Sequence, residues 1–226
     1  LVGDDLNILF LTLSKIEDIN QRGLYIDLVN EISARGINIY VVTPREKRYD
    51  LPTECIKYGS ITLLKVKTGN ITKTKSLLEK GLSTLSIEYL FLRAIKKYLK
   101  GLKFDLVMYS TPPITFNRIV KTLKKKYSSK TYLLLKDIFP QNAVDMEVMK
   151  HGSILWRYFR NKEIKLYSNS DIIGCMSQRN LEYIINHNKY LTENKIEIFP
   201  NAIKPIKRLL YKQKNKQILK KYNISE

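Results

Sequence analysis

The chain is poor in the residues that mark several functional classes. It has two cysteines in 226 residues, Cys55 and Cys175. That is too few for a disulfide framework in a chain of this length, and they read as thiols of a reduced, cytosolic compartment. It has two histidines, His151 and His187, and no cluster at metal-ligand spacing, so no bound metal or resident cofactor is expected. Asp-x-Asp after an apolar strand, the arrangement a metal–phosphate site needs, is missing, and Asp4-Asp5 reads as a solvated end. No apolar run approaches the roughly 20 residues of a membrane-spanning helix. The first residues have no basic start, so a secretory leader is not expected. The first residue is not methionine, which fits a processed or truncated chain.

Acidic residues are the other scarcity: 21 against 40 basic ones, a net charge of +19. Such an excess favours polyanions, whether nucleic acid, anionic lipid or phosphorylated ligands. It also fits a general compositional bias, because Lys, Ile, Asn and Tyr are abundant throughout. The excess is uneven, and residues 201–226 carry eight basic residues and one acid, Glu226.

Short apolar runs alternate with segments of helical period. Residues 7–13 read as the first strand, and Leu24, Leu28, Val29 and Ile32 mark a helix over 23–35 that Gly36 ends. A second strand over 37–42 is stopped by Pro44, and Gly59-Ser60 turns into a third over 61–66. Residues 68–76 are polar and aperiodic, an exposed loop. A long helix is predicted over 83–100, with Ser83 as its cap, Glu88 in its first turns and Gly101 beyond its end. Strands over 106–109, 131–135, 171–175 and 196–198 alternate with helices over 115–127, 153–167 and 178–186. Seven strands joined by helices imply a Rossmann-like α/β fold, a parallel sheet with helices on both faces and right-handed crossovers. A domain boundary falls near Ala202, giving a domain over 1–202 and a Lys-rich stretch over 203–226 that reads as a linker into a further domain.

In such sheets ligands bind beyond the carboxyl ends of the strands, and the candidate residues are those that fall there. Lys136-Asp137 follows an apolar strand, and an unpaired charge at such a place is costly unless it serves a ligand or an ion pair. Asn142 and Asp145 follow in the same loop. Ser110 and Thr111 offer hydroxyls before the rigid Pro112-Pro113 turn. Gly23 opens a helix whose N-terminus is suited to a phosphate, although the dinucleotide pattern G-x-G-x-x-G is absent. Ser177 caps a helix after the sixth strand and faces the same crevice. Glu163, between Lys162 and Lys165, reads as part of a solvated helix face. No serine or cysteine joins a histidine and an acid, which excludes triad hydrolysis. The helix over 83–100 is apolar on one side and carries Arg93, Lys96, Lys97 and Lys100, so it packs on the core or lies on an anionic membrane.

The succession RGLYIDLVNEISARGINIYVVTP, MYSTPPI, LLLKDIFPQNAVDM, EIKLYSNSDIIGCMSQRN and IEIFPNAI resembles the N-terminal domain of bacterial family-four glycosyltransferases. Within them it is most similar to the branch related to N-acetyl-fucosaminyl transferases of O-antigen and capsule synthesis. The resemblance covers residues 7–203. It implies the N-terminal, acceptor-side half of a GT-B fold, whose other half binds a nucleotide-sugar and lies beyond this chain. It further implies retention, no metal, a lipid-linked glycan acceptor, and work at the cytoplasmic face of an anionic membrane. Asp137 matches the aspartate near the acceptor hydroxyl, and the loop at Gly23 the approach to the donor diphosphate. Lys136 stands where the family commonly has arginine, which keeps the charge and loses the bidentate fork. Gln141-Asn142 replace Glu-Ser, and the double glycine of the first loop is absent.

Two other readings stay open at this stage. A basic α/β module for nucleic acid would use the charge directly, but no recognition helix, zinc finger or RNA-binding signature is present. A stand-alone acceptor or partner subunit of a split transferase is the other.

Overall fold

The computed structural model describes residues 6–71, 77–114, 116–205 and 222, with 77–85 as backbone only. The Lys-rich run over 206–221 lies outside the described residues.

The strands are β1 (Asn7–Leu11), β2 (Asn38–Glu46), β3 (Glu54–Tyr58), β4 (Ile61–Thr68), β5 (Leu106–Ser110), β6 (Lys130–Leu135), β7 (Ile172–Cys175) and β8 (Ile196–Ile198). The helices are α1 (Leu24–Ala34), α2 (Leu77–Tyr98), α3 (Asn117–Tyr127), α4 (Gln141–Asp145), α5 (Ile154–Asn169) and α6 (Gln178–His187). One eight-stranded sheet runs in the order β3-β4-β2-β1-β5-β6-β7-β8. Every pairing is parallel except β3 with β4, an antiparallel hairpin in which Tyr58 faces Ile61.

The period-two pattern of each strand divides the core between two faces of the sheet. Leu9, Leu11, Val107, Tyr109, Leu133 and Leu135 pack with buried residues of α2, α3, α5 and α6. Ile8, Phe10, Met108 and Leu134 pack with Ile26 and Val29 of α1. Helices therefore cover both faces, as the sequence predicts.

Four expectations are corrected. The strand β3 was not expected: Glu54–Tyr58 alternates half-buried and exposed, as an edge hairpin strand does, and has no continuous apolar run. Pro44 does not stop β2. Beyond Val42 the strand has outrun β1 and pairs with β4 alone, Pro44 opposite Val66, so the missing N–H falls on an open side. Ser83 is inside α2, which begins at Leu77. Of the polar stretch 68–76, Thr68 ends β4 and is buried with Ile71, while 72–76 lie outside the described residues.

The apolar stripe of α2 settles the two uses considered for that helix. Ile87, Phe91, Ala94 and Ile95 are all buried in the core, so this stripe cannot lie on a membrane. Glu88 reaches from α2 to the next helix: one of its oxygens accepts the backbone N–H of Arg118 at 2.6 Å and of Ile119 at 3.0 Å. It thereby caps the start of α3, which has no side-chain cap of its own.

Candidate functional site

The chain leaves β1 toward β2 and β4 on one side, then returns to lay β5, β6, β7 and β8 on the other. That reversal, between β1 and β5, is where the loops at the carboxyl ends diverge and leave a crevice. A cleft of about 550 Å³ opens there, lined by Leu13 and Ser14 after β1, Ser110 to Ile114 after β5, and Asp137, Phe139 and Asn142 after β6, with Tyr25 and Phe159 closing its sides.

Hydroxyls hold these loops together. Thr12 and Ser110 share a buried hydrogen bond at 3.0 Å. Thr43 donates to the carbonyl of Ser14 and accepts the N–H of Ile16, which pins the loop after β1. The Thr111 hydroxyl accepts the backbone N–H groups of Lys136 at 2.9 Å and Asp137 at 3.2 Å. The carboxylate thus sits on a segment fixed to the adjacent strand end. Asn142 is the second residue of the short helix α4, its N–H bonded to the Ile138 carbonyl, and its side-chain Oδ1 is buried with no hydrogen-bond partner. Tyr25 stands across the cleft. Burial raises its pKa, a hydrogen bond with Ser110 opposes that rise, and the charge of Asp137 adds to it. Phe139 and Phe159 meet edge to face at 4.9 Å and form the apolar wall. The result is one carboxylate, several hydroxyls and an amide acceptor beside aromatic surface, a set that suits a polyhydroxylated ligand.

Four of the sequence candidates, Ser110, Thr111, Asp137 and Asn142, meet in this cleft. Three do not. Lys136 points to a second groove of about 450 Å³, lined also by Leu24, Asp27, Phe199 and Pro200. There its ammonium lies 5.5 Å from the Phe199 ring, and burial lowers its pKa. Gly23 is the extended residue before α1. A Cβ there would meet nothing closer than Ile26 at 3.7 Å, so packing within the chain does not demand glycine. Ser177 caps α6 by accepting the N–H of Asn180, and it lines neither cavity.

Glu163 corrects the solvated-face reading. It is 4% exposed, it accepts the Tyr167 hydroxyl at 2.8 Å and it pairs with Arg160. Burial raises its pKa, against the pull of Arg160. Arg160 also donates to the carbonyl of His187 and to Asn188 Oδ1, fastening α5 to the end of α6. Adjacent lysines in the sequence hid this inward turn.

Sequence reasoning also missed Tyr25, Phe139 and Phe159 as site residues. Phe139 is two residues from Asp137, and that proximity was an available signal. Tyr25 and Phe159 belong to apolar helical patterns that look like core. Among the described residues no group of three or more His, Cys, Asp or Glu side chains is placed to hold a metal, and no helix is long and apolar enough to cross a membrane.

No family model matches the chain. A 95-residue stretch is 30% identical to a protein described as probable glycosyltransferase WbjE from Pseudomonas aeruginosa, covering 42% of this chain and 23% of that one. Among solved structures, a trehalose-6-phosphate synthase from E. coli bound with UDP-2-fluoro glucose superposes with a TM-score of 0.61 at 12% identity, over 88% of this chain and 49% of that one. The enzyme TcCGT1 in complex with UDP gives 0.57 at 9% identity, over 96% and 55%. The chain therefore spans about half the length of these solved enzymes, and it shares their Rossmann-like α/β fold.

Proposed function

We propose that this chain is the acceptor-side half of a glycosyltransferase that moves a sugar from a nucleotide-sugar to a lipid-linked glycan in cell-surface polysaccharide synthesis. The observation that carries the reading is the meeting of Asp137 with Ser110, Thr111 and Asn142 in one cleft at the strand ends. The fold, the named relative and the UDP bound by one structural neighbour all support it.

In this reading the acceptor sugar lies against Phe139 and Phe159, with hydroxyls toward Asn142, Ser110 and Tyr25. Asp137 accepts a hydrogen bond from the acceptor hydroxyl that attacks, which fixes its oxygen toward the donor. The donor is held by the half beyond this chain. The N-terminus of α1 at Gly23 faces the leaving diphosphate, where backbone N–H groups stabilise developing negative charge. Transfer proceeds with retention and without metal, and a donor phosphate oxygen takes the proton that Asp137 has oriented. Asp137 is then a positioning group, not an obligatory base. The enzyme works peripherally at the inner face of the cytoplasmic membrane, and this chain alone does not complete the transfer.

The test is Asp137→Asn in the enzyme carrying both halves. We expect turnover to fall about a hundredfold or more, as a misplaced reactant does, with an unchanged circular dichroism spectrum. Turnover equal to that of the wild type would remove Asp137 from the site.

A further inference from the structure

Among the described residues, five of the fourteen exposed large apolar side chains fall within one short stretch of the chain. Between α4 and the first turns of α5, Met146 is 65% exposed, Val148 75%, Ile154 89%, Leu155 54% and Tyr158 45%. A concentration of exposed apolar side chains of this kind marks a binding face. Helical geometry states what lies beside it. At 100° per residue, Ile154, Tyr158, Lys162 and Lys165 fall on one side of α5, with Leu155 and Arg157 at its margins. Glu163, Leu166 and Tyr167 fall on the other side and are buried. The outward side therefore begins apolar and continues basic. The only acid of α5 is Glu163, turned inward and paired with Arg160. Lys162 stands 5.4 Å from the Tyr158 ring, and Lys150 is exposed just before the helix. Two acids border the patch: Asp145, bonded to Gln141, and Glu147.

We propose that this face docks the protein on an anionic bilayer, with Met146, Val148, Ile154, Leu155 and Tyr158 entering the headgroup boundary and Lys150, Arg157, Lys162 and Lys165 meeting lipid phosphates. Apolar side chains flanked by lysine and arginine on one helical side are the pattern of interfacial binding. Protein interfaces are instead depleted of lysine. The inference rests on the transferase reading for its purpose, because Phe159, next to Tyr158 on the same helix, lines the cleft that holds Asp137. An acceptor anchored in the bilayer would then meet the cleft from the side where the protein is seated.

The test is sedimentation of the 226-residue chain with vesicles of phosphatidylcholine containing about 30% phosphatidylglycerol, beside vesicles of phosphatidylcholine alone. Neither donor nor acceptor is present. We expect binding to the anionic vesicles only, weakened about tenfold in the double variant Ile154→Ser, Leu155→Ser and to a similar extent in Arg157→Gln, Lys162→Gln, Lys165→Gln. The exposed pair Lys121→Gln, Lys125→Gln on α3 should stay within about twofold, since the remaining excess charge acts at longer range. Circular dichroism confirms that each variant is folded. Absent binding by the wild type, equal loss in the α3 control, or wild-type binding by the α5 variants overturns the proposal. So does an Ile154→Ser, Leu155→Ser variant that converts a dimer to a monomer, because the face would then join two copies. A chain that binds vesicles while the complete enzyme transfers no sugar retains the docking face and loses the transferase reading.

Discussion

The Thr111 hydroxyl oxygen lies 3.2 Å from the backbone nitrogen of Asp137 and accepts its N–H, joining the end of β5 to the segment that carries the cleft's carboxylate. The same oxygen accepts from Lys136, so one side chain fixes two consecutive peptide units. Thr111→Val keeps the shape and removes the acceptor, leaving two partly buried N–H groups without it. We expect a loss of about 1–3 kcal/mol in stability. In the complete enzyme turnover should drop by about tenfold or more, because Asp137 is no longer held. Thr111→Ser should restore both in urea titrations and transfer assays.

Tyr25 packs its ring edge-on to Phe10 at 5.2 Å and directs its hydroxyl to Ser110. Tyr25→Phe keeps the packing and removes the hydroxyl. Stability should change by no more than about 1 kcal/mol, while KM for the acceptor rises several-fold with little change in kcat. An unaltered KM would take Tyr25 out of ligand contact.

Gly174 in β7 has no room for a methyl group. An added Cβ would lie 2.6 Å from the Tyr132 hydroxyl and 2.8 Å from Phe199 Cβ. Gly174→Ala must displace the Tyr132–Phe199 ring pair and strain the 2.6 Å hydrogen bond from Tyr132 to Glu197. We expect a loss of about 1–3 kcal/mol by chemical denaturation.

Two carboxylates give stability opposite dependences on pH. Hydrogen bonds from Arg45 and then Lys65 hold the Glu54 pKa below its ordinary 4.5. Its contribution is present above that value and is lost as pH falls through the lowered one. Burial raises the Glu163 pKa above 4.5. Its contribution is present at acid pH and declines as pH rises through the raised value. Denaturation curves from pH 3 to 7 should show Glu54→Gln flattening the acid side and Glu163→Gln flattening the side above the ordinary value.

The sequence exposed the alternation that makes the sheet, because buried parallel strands are short apolar runs and the helices between them carry a 3.6-residue period. It exposed Asp137 for the same reason, since the charged pair Lys136-Asp137 directly after Leu133, Leu134 and Leu135 breaks the run. It hid β3, where an edge strand alternates weakly, and it misplaced the end of β2, because whether a proline is tolerated depends on which neighbour has already ended. Tyr25, Phe159 and Glu163 were illegible for one shared reason. Which way a helical residue turns is decided by packing against elements distant in sequence, and the end of α6 at Asn188 and the loops after β5 and β6 supply that packing.

The backbone N–H of Lys204 bonds to Asp27 at 2.8 Å, and Arg22 donates to the Lys204 carbonyl. Both partners flank Gly23, at the start of the helix whose second residue is Tyr25. The irregular segment after β8 is therefore moored, along the second groove, to the helix that carries Tyr25. Tension applied at Pro205 reaches Asp27 and Arg22 first, and the cleft wall at Tyr25 feels it before the sheet does.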